Sequence, residues 1–289
     1  MTCGAAGAMD HSVLDHKHGQ AVHFDHAGSP EFEIHRPHGE SRLYRFLMEY
    51  KFDRAVNLLP WPVRGRLALS VCSGSGMDAE FLERGGARVV GLDISHGALL
   101  RSRRRAHTYG LAYVLVRGDA EALPFRSSAF DVSFVHDGLH HLVEPRRAIT
   151  EMARVARGAV VITEPADAAL TKLAIALRII PAREDSGNLV ARFDAGALRE
   201  LFCSLGFQTF RSARYLMKYG HPPGAWWRLL DHPIPFTLAR LAFLALGAGA
   251  LGTVGNKLSV TASRRSDLPP FGPAPAPAAC AAHVASLGA

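Results

Sequence analysis

The feature that most limits the fold is an alternation of short apolar runs with helical patterns, which begins at Arg66. The apolar runs have the length of strands, and the stretches between them can form helices that connect parallel strands. Such units build a mostly parallel sheet with right-handed crossovers and helices on both faces. The strand candidates are residues 67–71, 88–92, 112–116, 132–135, 159–163, 207–211 and 257–262, and the helix candidates are residues 78–84, 97–107, 146–155, 168–180 and 195–205.

The segments around this pattern divide the chain into three parts. Residues 1–38 contain seven of the fifteen histidines at irregular spacing, which predicts a flexible His-rich arm rather than a metal-binding repeat. Residues 39–263 predict one folded domain, with a helical cap at 39–65 and an apolar helical insertion at 221–255. Residues 264–289 are rich in Pro and Ala and predict a disordered tail.

Composition excludes several classes of protein. With 48% apolar and 20% charged residues, the chain has enough core to exclude wholesale disorder and a collagen-like architecture. The four cysteines share no short spacing, so neither a zinc site nor a disulfide framework is indicated. The N-terminus lacks the basic start and the apolar core of a signal peptide, which favours a reducing, cytoplasmic setting.

The charge and hydropathy of the chain limit which partners it can bind, in particular nucleic acids and membranes. Lys and Arg total 33 against 26 Asp and Glu, a net charge of +7. The densest basic run, at residues 101–105, predicts a solvated helix face, and no basic stripe is interleaved with aromatic residues, so a nucleic-acid partner is not expected. The longest apolar run, at residues 241–251, is too short to span a bilayer and predicts a buried or cleft-covering helix. Peripheral membrane contact stays open.

The turn after the first strand candidate points to a nucleoside ligand. Gly74 and Gly76 stand where a strand must turn sharply into a helix, and glycine permits both the unusual dihedral angles and a close approach by a ligand. Asp93 ends the second strand candidate, where its carboxylate can accept hydrogen bonds from both hydroxyls of a ribose. An ordinary tight turn, with Asp93 capping the next helix, is the alternative interpretation.

A second acidic residue, Asp119, narrows the choice of nucleoside. Asp119 follows the third strand candidate, where it can accept a hydrogen bond from an adenine amino group, and the backbone amide of Ala120 is close enough in sequence to read a ring nitrogen. Glycines 74 and 76 with Ala79 also fit a loose dinucleotide fingerprint. Asp78 makes a dinucleotide less favourable. It lies in the first turn of the helix whose N-terminus would hold the pyrophosphate, and its negative charge would repel that group.

Six motifs in order resemble the class I S-adenosylmethionine-dependent methyltransferases, in particular their small-molecule type 11 branch. The motifs are VCSGSG, VVGLDIS, GDAEALPF, FDVSFVHDGLHHL, RVARGAVVITEP and VGNKLSVTA, and the first five cover residues 66–165. The resemblance implies an α/β, Rossmann-like fold with seven strands in the order 3-2-1-4-5-7-6 and strand seven antiparallel. It also implies S-adenosyl-L-methionine as the cofactor.

The resemblance also implies roles for individual residues. Gly74 and Gly76 would lie under the methionine part of the cofactor, and Asp93 would bind the ribose. Ile94 would pack on the adenine, Asp119 would hold the adenine amino group, and His136 would line the cofactor. Ser70 and Cys72 belong to the same cofactor turn, but they stand where the family usually has an acidic residue and a further glycine.

The histidines after the fourth strand candidate are the catalytic candidates. His140 is predicted as a general base and His141 as the second choice, because histidine titrates near neutrality and this edge of the sheet faces the methyl group. A purely structural role in packing the loop is the alternative. His136, Asp137, His140 and His141 have acceptable metal-ligand types, but they lack a second ligand cluster of defined spacing, so no metal is predicted.

These observations predict an enzyme that methylates a small molecule. Apolar and aromatic residues in the cap and in the insertion favour a hydrophobic acceptor. The alternatives are a non-catalytic cofactor-binding protein with this fold, a nicotinamide-dependent oxidoreductase and an RNA methyltransferase.

Overall fold

A seven-stranded sheet forms the centre of the protein. In the computed structural model, which describes residues 11–26, 33–34, 41–177, 190–217, 227–248 and 254–264, the strands are β1 Leu67–Val71, β2 Arg88–Asp93, β3 Val114–Arg117, β4 Phe130–His136, β5 Ala156–Pro165, β6 Thr209–Tyr215 and β7 Lys257–Ser263. Their order is β3-β2-β1-β4-β5-β7-β6. Strands β1 to β5 are parallel, whereas β7 is antiparallel to both of its neighbours. The predicted strand order and the predicted antiparallel strand are therefore confirmed.

Helices cover both faces of the sheet. They are α1 His11–His26, α2 Arg42–Val56, α3 Met77–Arg84, α4 His96–Tyr109, α5 Pro145–Val155, α6 Ala169–Ala176, α7 Ala195–Ser204, α8 Trp227–Leu230 and α9 Pro233–Ala248, with a 3₁₀ turn at Leu139–His141. Every residue of β1 and β4 is buried, as expected for central strands of a parallel sheet that is covered on both sides. Separate apolar clusters lie on the two faces and fix where the helices pack.

Several predicted boundaries differ from the observed ones. Strand β3 begins two residues later than predicted, and β6 extends to Tyr215 instead of ending at 211. Helix α6 ends at Ala176, and the end of the predicted helix 168–180 lies outside the described residues. The predicted cap contains α2, and the predicted insertion contains α8 and α9, while its other parts and nearly all of the predicted tail lie outside the described residues.

The prediction of a flexible arm does not hold for α1, which docks on the N-terminus of α4. The Asp25 carboxylate accepts hydrogen bonds from the Ser95 hydroxyl, at 2.7 Å, and from the Gly97 amide, at 2.8 Å. Gly97 allows this approach, because a Cβ atom there would lie 2.5 Å from the Asp25 carbonyl oxygen. A carboxylate at a helix N-terminus is stabilised by the unpaired amides and by the helix dipole.

The basic run at residues 101–105 is only partly a solvated face, so that prediction needs correction. Arg105 is fully buried and pairs with Glu80 at 2.7 Å. Arg101 pairs with Glu33 at 2.6 Å and donates to the Phe24 carbonyl oxygen at 2.7 Å. These two side chains therefore attach the N-terminal segment to α4, whereas the neighbours at 103 and 104 are exposed.

Helix α9 is apolar on two sides. Phe236, Ala239 and Phe243 pack toward α2, while Ile234 and Leu238 are 74% and 63% exposed. Among the described residues, no helix has both the length and the apolar character needed to cross a membrane. Peripheral membrane contact through this face stays a prediction.

Candidate functional site

One cavity of about 480 Å³ lies at the carboxyl ends of the parallel strands. The loops that follow β1, β2, β3 and β4 form its floor, and α1, α2 and the start of β7 supply further walls. Ligands of open parallel sheets bind at this edge, and the volume lies within the range of small-molecule sites. The edge is therefore the candidate site.

The glycine turn after β1 opens into this cavity. Gly74 has φ +52°, and no atom lies within 4 Å of the position that a Cβ atom would take there. Gly76 has φ +85°, but a Cβ atom there would lie 2.3 Å from the Ser102 hydroxyl oxygen and 2.5 Å from the Tyr113 hydroxyl oxygen. Gly74 thus leaves space for a ligand, whereas Gly76 leaves space for the packing of α3 against α4.

Asp93 is fixed by two backbone donors at the end of β2. One carboxylate oxygen accepts the Gly74 amide at 2.8 Å, and the other accepts the Ser95 amide at 2.9 Å. Burial raises the pKa of the Asp93 carboxyl, and these amide hydrogen bonds oppose the shift. Because a carboxylate has about four lone-pair positions, Asp93 can accept ribose hydroxyls in addition to these amides.

Asp119 lines the cavity and is also held by α1. One of its oxygens accepts the Glu121 amide at 2.8 Å, and the other lies 2.6 Å from the Lys17 ammonium. Lys17 also lies 2.6 Å from Glu121. An adenine amino group would therefore compete with Lys17 for the Asp119 carboxylate.

The side chain of Cys72 limits the size of the residue at position 138, in the loop that follows β4. Cys72 has φ +52°, in the left-handed region that favours glycine. A Cβ atom added to Gly138 would lie 2.5 Å from the Cys72 Cβ atom and 3.1 Å from its sulfur atom. Glycine at 138 therefore accommodates the side chain at 72.

We expect the Cys72→Gly and Gly138→Ala substitutions to be strongly coupled. In the wild-type background, Gly138→Ala should lower the free energy of unfolding by about 2 kcal/mol, because overpacking a buried site costs 1 to 3 kcal/mol. In the Cys72→Gly background, most of this cost should disappear. Urea unfolding of the four proteins measures the coupling, and costs that simply add would contradict it.

His136 lies in a chain of charged groups. One of its ring nitrogens is 3.0 Å from the Asp78 carboxylate, and the other is 3.3 Å from the Asp137 carboxylate. Burial and Lys51 lower the pKa of His136, but the two carboxylates outweigh them and raise it. His136 thus lies between two carboxylates, within contact distance of both.

His140 is oriented by Glu164, which is fully buried in β5. The His140 Nδ1 atom lies 2.6 Å from one Glu164 oxygen, and the other oxygen accepts the amides of Gly138, at 2.8 Å, and Leu139, at 2.6 Å. A carboxylate on Nδ1 favours the tautomer that carries its proton there, which leaves Nε2 as the basic nitrogen. His141 packs against His140 and against the Phe24 ring of α1.

Asp137, His140 and Glu164 also have the ligand types of a metal site. Their ligand atoms lie within 4.8 Å of one another. Lys51 and Lys257 both contact the Asp137 carboxylate, and Glu164 already accepts two amides. Two ammonium groups at this point disfavour a further cation.

The structure brings most of the predicted site residues together. The cavity wall includes Cys72, Gly74, Asp93, Ile94, Asp119, Ala120, His136, His140 and His141. Ser70 does not contribute to this wall, because it is fully buried within β1. Gly76 also lies outside the wall and instead shapes the turn beneath it.

The sequence analysis missed three lysines. Lys17, Lys51 and Lys257 line the cavity, although they come from α1, α2 and β7. The chain has only five lysines, so three of the five meet at one cavity. The rarity of lysine beside abundant arginine was a usable signal, but it did not indicate which lysines would meet.

Part of the chain is similar in sequence to a known protein family. Residues 69–162 match the sequence profile of the family described as "Methyltransferase domain". This segment runs from β1 into β5 and contains the glycine turn, Asp93 and Asp119. It also contains the segment 136–141 after β4, here called the histidine loop. Residues 69–162 are thus similar to a methyltransferase domain.

Curated relatives of the methyltransferase domain include quinone methyltransferases. The demethylmenaquinone methyltransferase of Paenarthrobacter aurescens (strain TC1) is 37% identical over 128 residues, which are 44% of this chain and 46% of the relative. The ubiquinone/menaquinone biosynthesis C-methyltransferase UbiE of Roseobacter denitrificans is 35% identical over 106 residues, which are 35% of this chain and 42% of the relative. The chain thus spans less than half the length of either relative.

Solved structures share the fold over a longer stretch. Magnesium protoporphyrin IX methyltransferase from Synechocystis PCC 6803, solved with bound SAH, aligns with a TM-score of 0.58 at 16% identity. The alignment covers 86% of this chain and all of that chain. The architecture around the methyltransferase domain is therefore also that of this fold class.

Proposed function

We propose that this protein transfers a methyl group from S-adenosylmethionine to a small, apolar acceptor. The observation that carries the proposal is the cradle formed by Gly74 and Asp93. The glycine faces open space, and the carboxylate beside it can accept ribose hydroxyls in addition to its backbone amides. This cradle continues into the same cavity as His140.

The residues of the cavity fit the proposed cofactor. Asp93 would accept the ribose hydroxyls, Ile94 would pack on the adenine, and Asp119 and the Ala120 amide would bind the adenine edge. His136 would line the methionine end. Lys17 must give up part of its contact with Asp119 for this to occur. When bound, S-adenosylmethionine supplies a methyl group that is activated by the positive charge on sulfur.

Apolar side chains support an apolar acceptor. Tyr44 and Met48 from α2 and Met77 from α3 line the cavity and belong to an apolar cluster that continues to α9. The relatives described above are named for demethylmenaquinone and for ubiquinone/menaquinone biosynthesis. We therefore propose an aromatic, quinone-like acceptor.

His140 is the proposed general base, and Glu164 is the residue that positions it. An acceptor hydroxyl would transfer its proton to His140 Nε2 and keep the electron pair of the broken O–H bond on oxygen. Glu164 would stabilise the resulting imidazolium through the Nδ1 hydrogen bond. His141 is the second candidate for the base, and its contact with Phe24 supports a packing role.

A non-catalytic cofactor-binding protein is the second candidate function. Two observations favour it: Cys72 introduces a side chain into the cofactor turn, and Lys17 contacts the carboxylate that would bind adenine. Such a protein would bind S-adenosylhomocysteine without turnover.

Titration of the full chain with S-adenosylhomocysteine tests the proposal. We expect saturable binding in a calorimeter, and no comparable binding of NADH. Labelled S-adenosylmethionine and a lipid extract should then yield a labelled small molecule. Binding of NADH alone would contradict the proposal, and binding without transfer to any extract would favour the non-catalytic protein.

A further inference from the structure

Helix α1 lies along the cavity and is held at two points. The Lys17 ammonium lies 2.6 Å from the carboxylates of Asp119 and Glu121, in the loop after β3. The Asp25 carboxylate accepts the Gly97 amide, at the start of the helix that follows β2. These two positions of α1 are eight residues apart in the sequence, a rise of about 12 Å along an α-helix. The helix therefore runs from the loop after β3 to the segment after β2.

One side of α1 faces the cavity between these two points. Lys17, Gln20 and Phe24 all line the cavity, and their spacing of three and four residues places them on the same side of a helix. Gln20 lies between the two points at which α1 is held, and it is only 9% exposed. Its side chain therefore belongs to the wall of the cavity near the ends of β2 and β3.

The side-chain oxygen of Gln20 is free to accept a hydrogen bond. The Oε1 atom is buried, and no donor in the described part of the chain pairs with it. A buried acceptor without a partner is unfavourable, and most buried polar groups in folded proteins do have one. A ligand in the cavity that carries an N–H or O–H group would supply the missing donor.

The position of Gln20 favours the adenosine half of the proposed cofactor. Asp93 and Asp119, which we propose to bind ribose and adenine, follow the same two strands that α1 connects. The ribose hydroxyls already have the Asp93 carboxylate as their acceptor. The adenine amino group has two hydrogens, and Asp119 also accepts from Lys17 and from the Glu121 amide. A second acceptor is therefore needed for the amino group.

We infer that Gln20 is a specificity-determining residue of the cofactor site, and that its Oε1 atom accepts a hydrogen bond from the adenine amino group. The inference rests on the proposed binding of S-adenosylmethionine. Helix α1 then forms a third side of the adenine site, beside the loops after β2 and β3. A purine without the amino group leaves the Gln20 oxygen unpaired, so the site discriminates against it.

Two ligands that differ only in the amino group test this contact. They are S-adenosylhomocysteine and its 6-deamino analogue, in which hydrogen replaces the amino group. In calorimetric titrations of the full chain, Gln20→Met should bind S-adenosylhomocysteine about fivefold to tenfold more weakly than the wild type, because one neutral hydrogen bond is lost. Its affinity for the deamino analogue should stay within about twofold. Gln208→Met makes the same change at an exposed position outside the cavity wall and should alter neither affinity.

Unfolding of the ligand-free protein separates a ligand contact from a structural role. Methionine is similar in length to glutamine and leaves no buried acceptor without a partner. Gln20→Met should therefore unfold at the same urea concentration as the wild type or at a higher one. A lower midpoint, or equal losses of affinity for the two ligands, would show that Gln20 mainly stabilises α1, and would overturn the inference.

The titrations also distinguish this inference from the proposed function. If the wild type binds S-adenosylhomocysteine and Gln20→Met binds it equally well, the inference is wrong and the proposed cofactor stands. If the wild type does not bind S-adenosylhomocysteine, both are wrong. Neither titration requires a methyl acceptor, so the result does not depend on knowing the substrate.

Discussion

An Asp93→Asn variant is expected to bind S-adenosylhomocysteine about a hundredfold more weakly than the wild-type protein. The carboxylate accepts a backbone amide on each oxygen and can also accept ribose hydroxyls. Asparagine replaces one of these oxygens with an NH₂ group, which cannot accept a hydrogen bond and faces a backbone amide. One ribose hydroxyl therefore loses its charged acceptor, and the other is bound by a neutral oxygen. Together these changes should reduce the free energy of binding by about 3 kcal/mol. Calorimetric titration measures the difference in affinity.

Two controls show whether the loss comes from the ribose contact or from damage to the turn. Asp194→Asn keeps a side chain that can cap α7 and does not line the cavity, so it should leave the affinity unchanged. The 2′-deoxy analogue of S-adenosylhomocysteine should bind more weakly than the parent ligand to the wild-type protein. That difference should shrink in Asp93→Asn. A variant that still distinguished the two ligands as the wild type does would exclude a ribose contact.

A His140→Gln variant is expected to lower kcat by a factor of about 100 to 10,000, the usual contribution of a positioned general base. Glutamine can still donate toward Glu164, so the buried carboxylate keeps a partner, but it has no basic nitrogen. Affinity for S-adenosylhomocysteine should stay within about twofold, because only the step after binding is affected. The measurement is transfer of labelled methyl to the acceptor found in the extract.

Two further variants assign the role within the histidine loop. His141→Gln should lower kcat by about tenfold or less if this side chain mainly packs against Phe24. Glu164→Gln should lower kcat while leaving the affinity for S-adenosylhomocysteine intact, since it acts through His140. Wild-type kcat in His140→Gln would show that the acceptor needs no base.

The sheet was predictable because its pattern is local. Apolar runs of strand length alternate with helical stretches from β1 to β5. The order of the strands in the sheet was implied only by the resemblance to the methyltransferase family. The ends of β6 were less predictable, because this edge strand has exposed residues and lacks a continuous apolar run. There, pairing with β7 rather than hydropathy sets the length.

The contacts of the site were only partly predictable. Glycines 74 and 76 and Asp93 follow a pattern in one short stretch, so their roles can be read locally. The contacts of Lys51 and Lys257 with Asp137 join three distant segments, and no local pattern encodes them. The same holds for Glu164, which contacts His140 only because β4 and β5 are neighbours in the sheet.

Helix α1 shows why polar segments are difficult to predict. It has no continuous apolar face, and its histidine content resembles that of a mobile arm. Its docking depends on Lys17 with the acidic pair Asp119 and Glu121, and on Asp25 with the start of α4. These partners exist only after the rest of the domain has folded.

The contact between positions 72 and 138 constrains how a chain of this kind can change over generations. A glycine at 72 would remove the side chain that forbids a larger residue at 138, while a larger residue at 138 clashes as long as cysteine occupies 72. A lineage that exchanges one arrangement for the other avoids the cost of this clash if glycine occupies both places in between. The residue at 72 in the cofactor turn and the residue at 138 in the histidine loop therefore depend on each other.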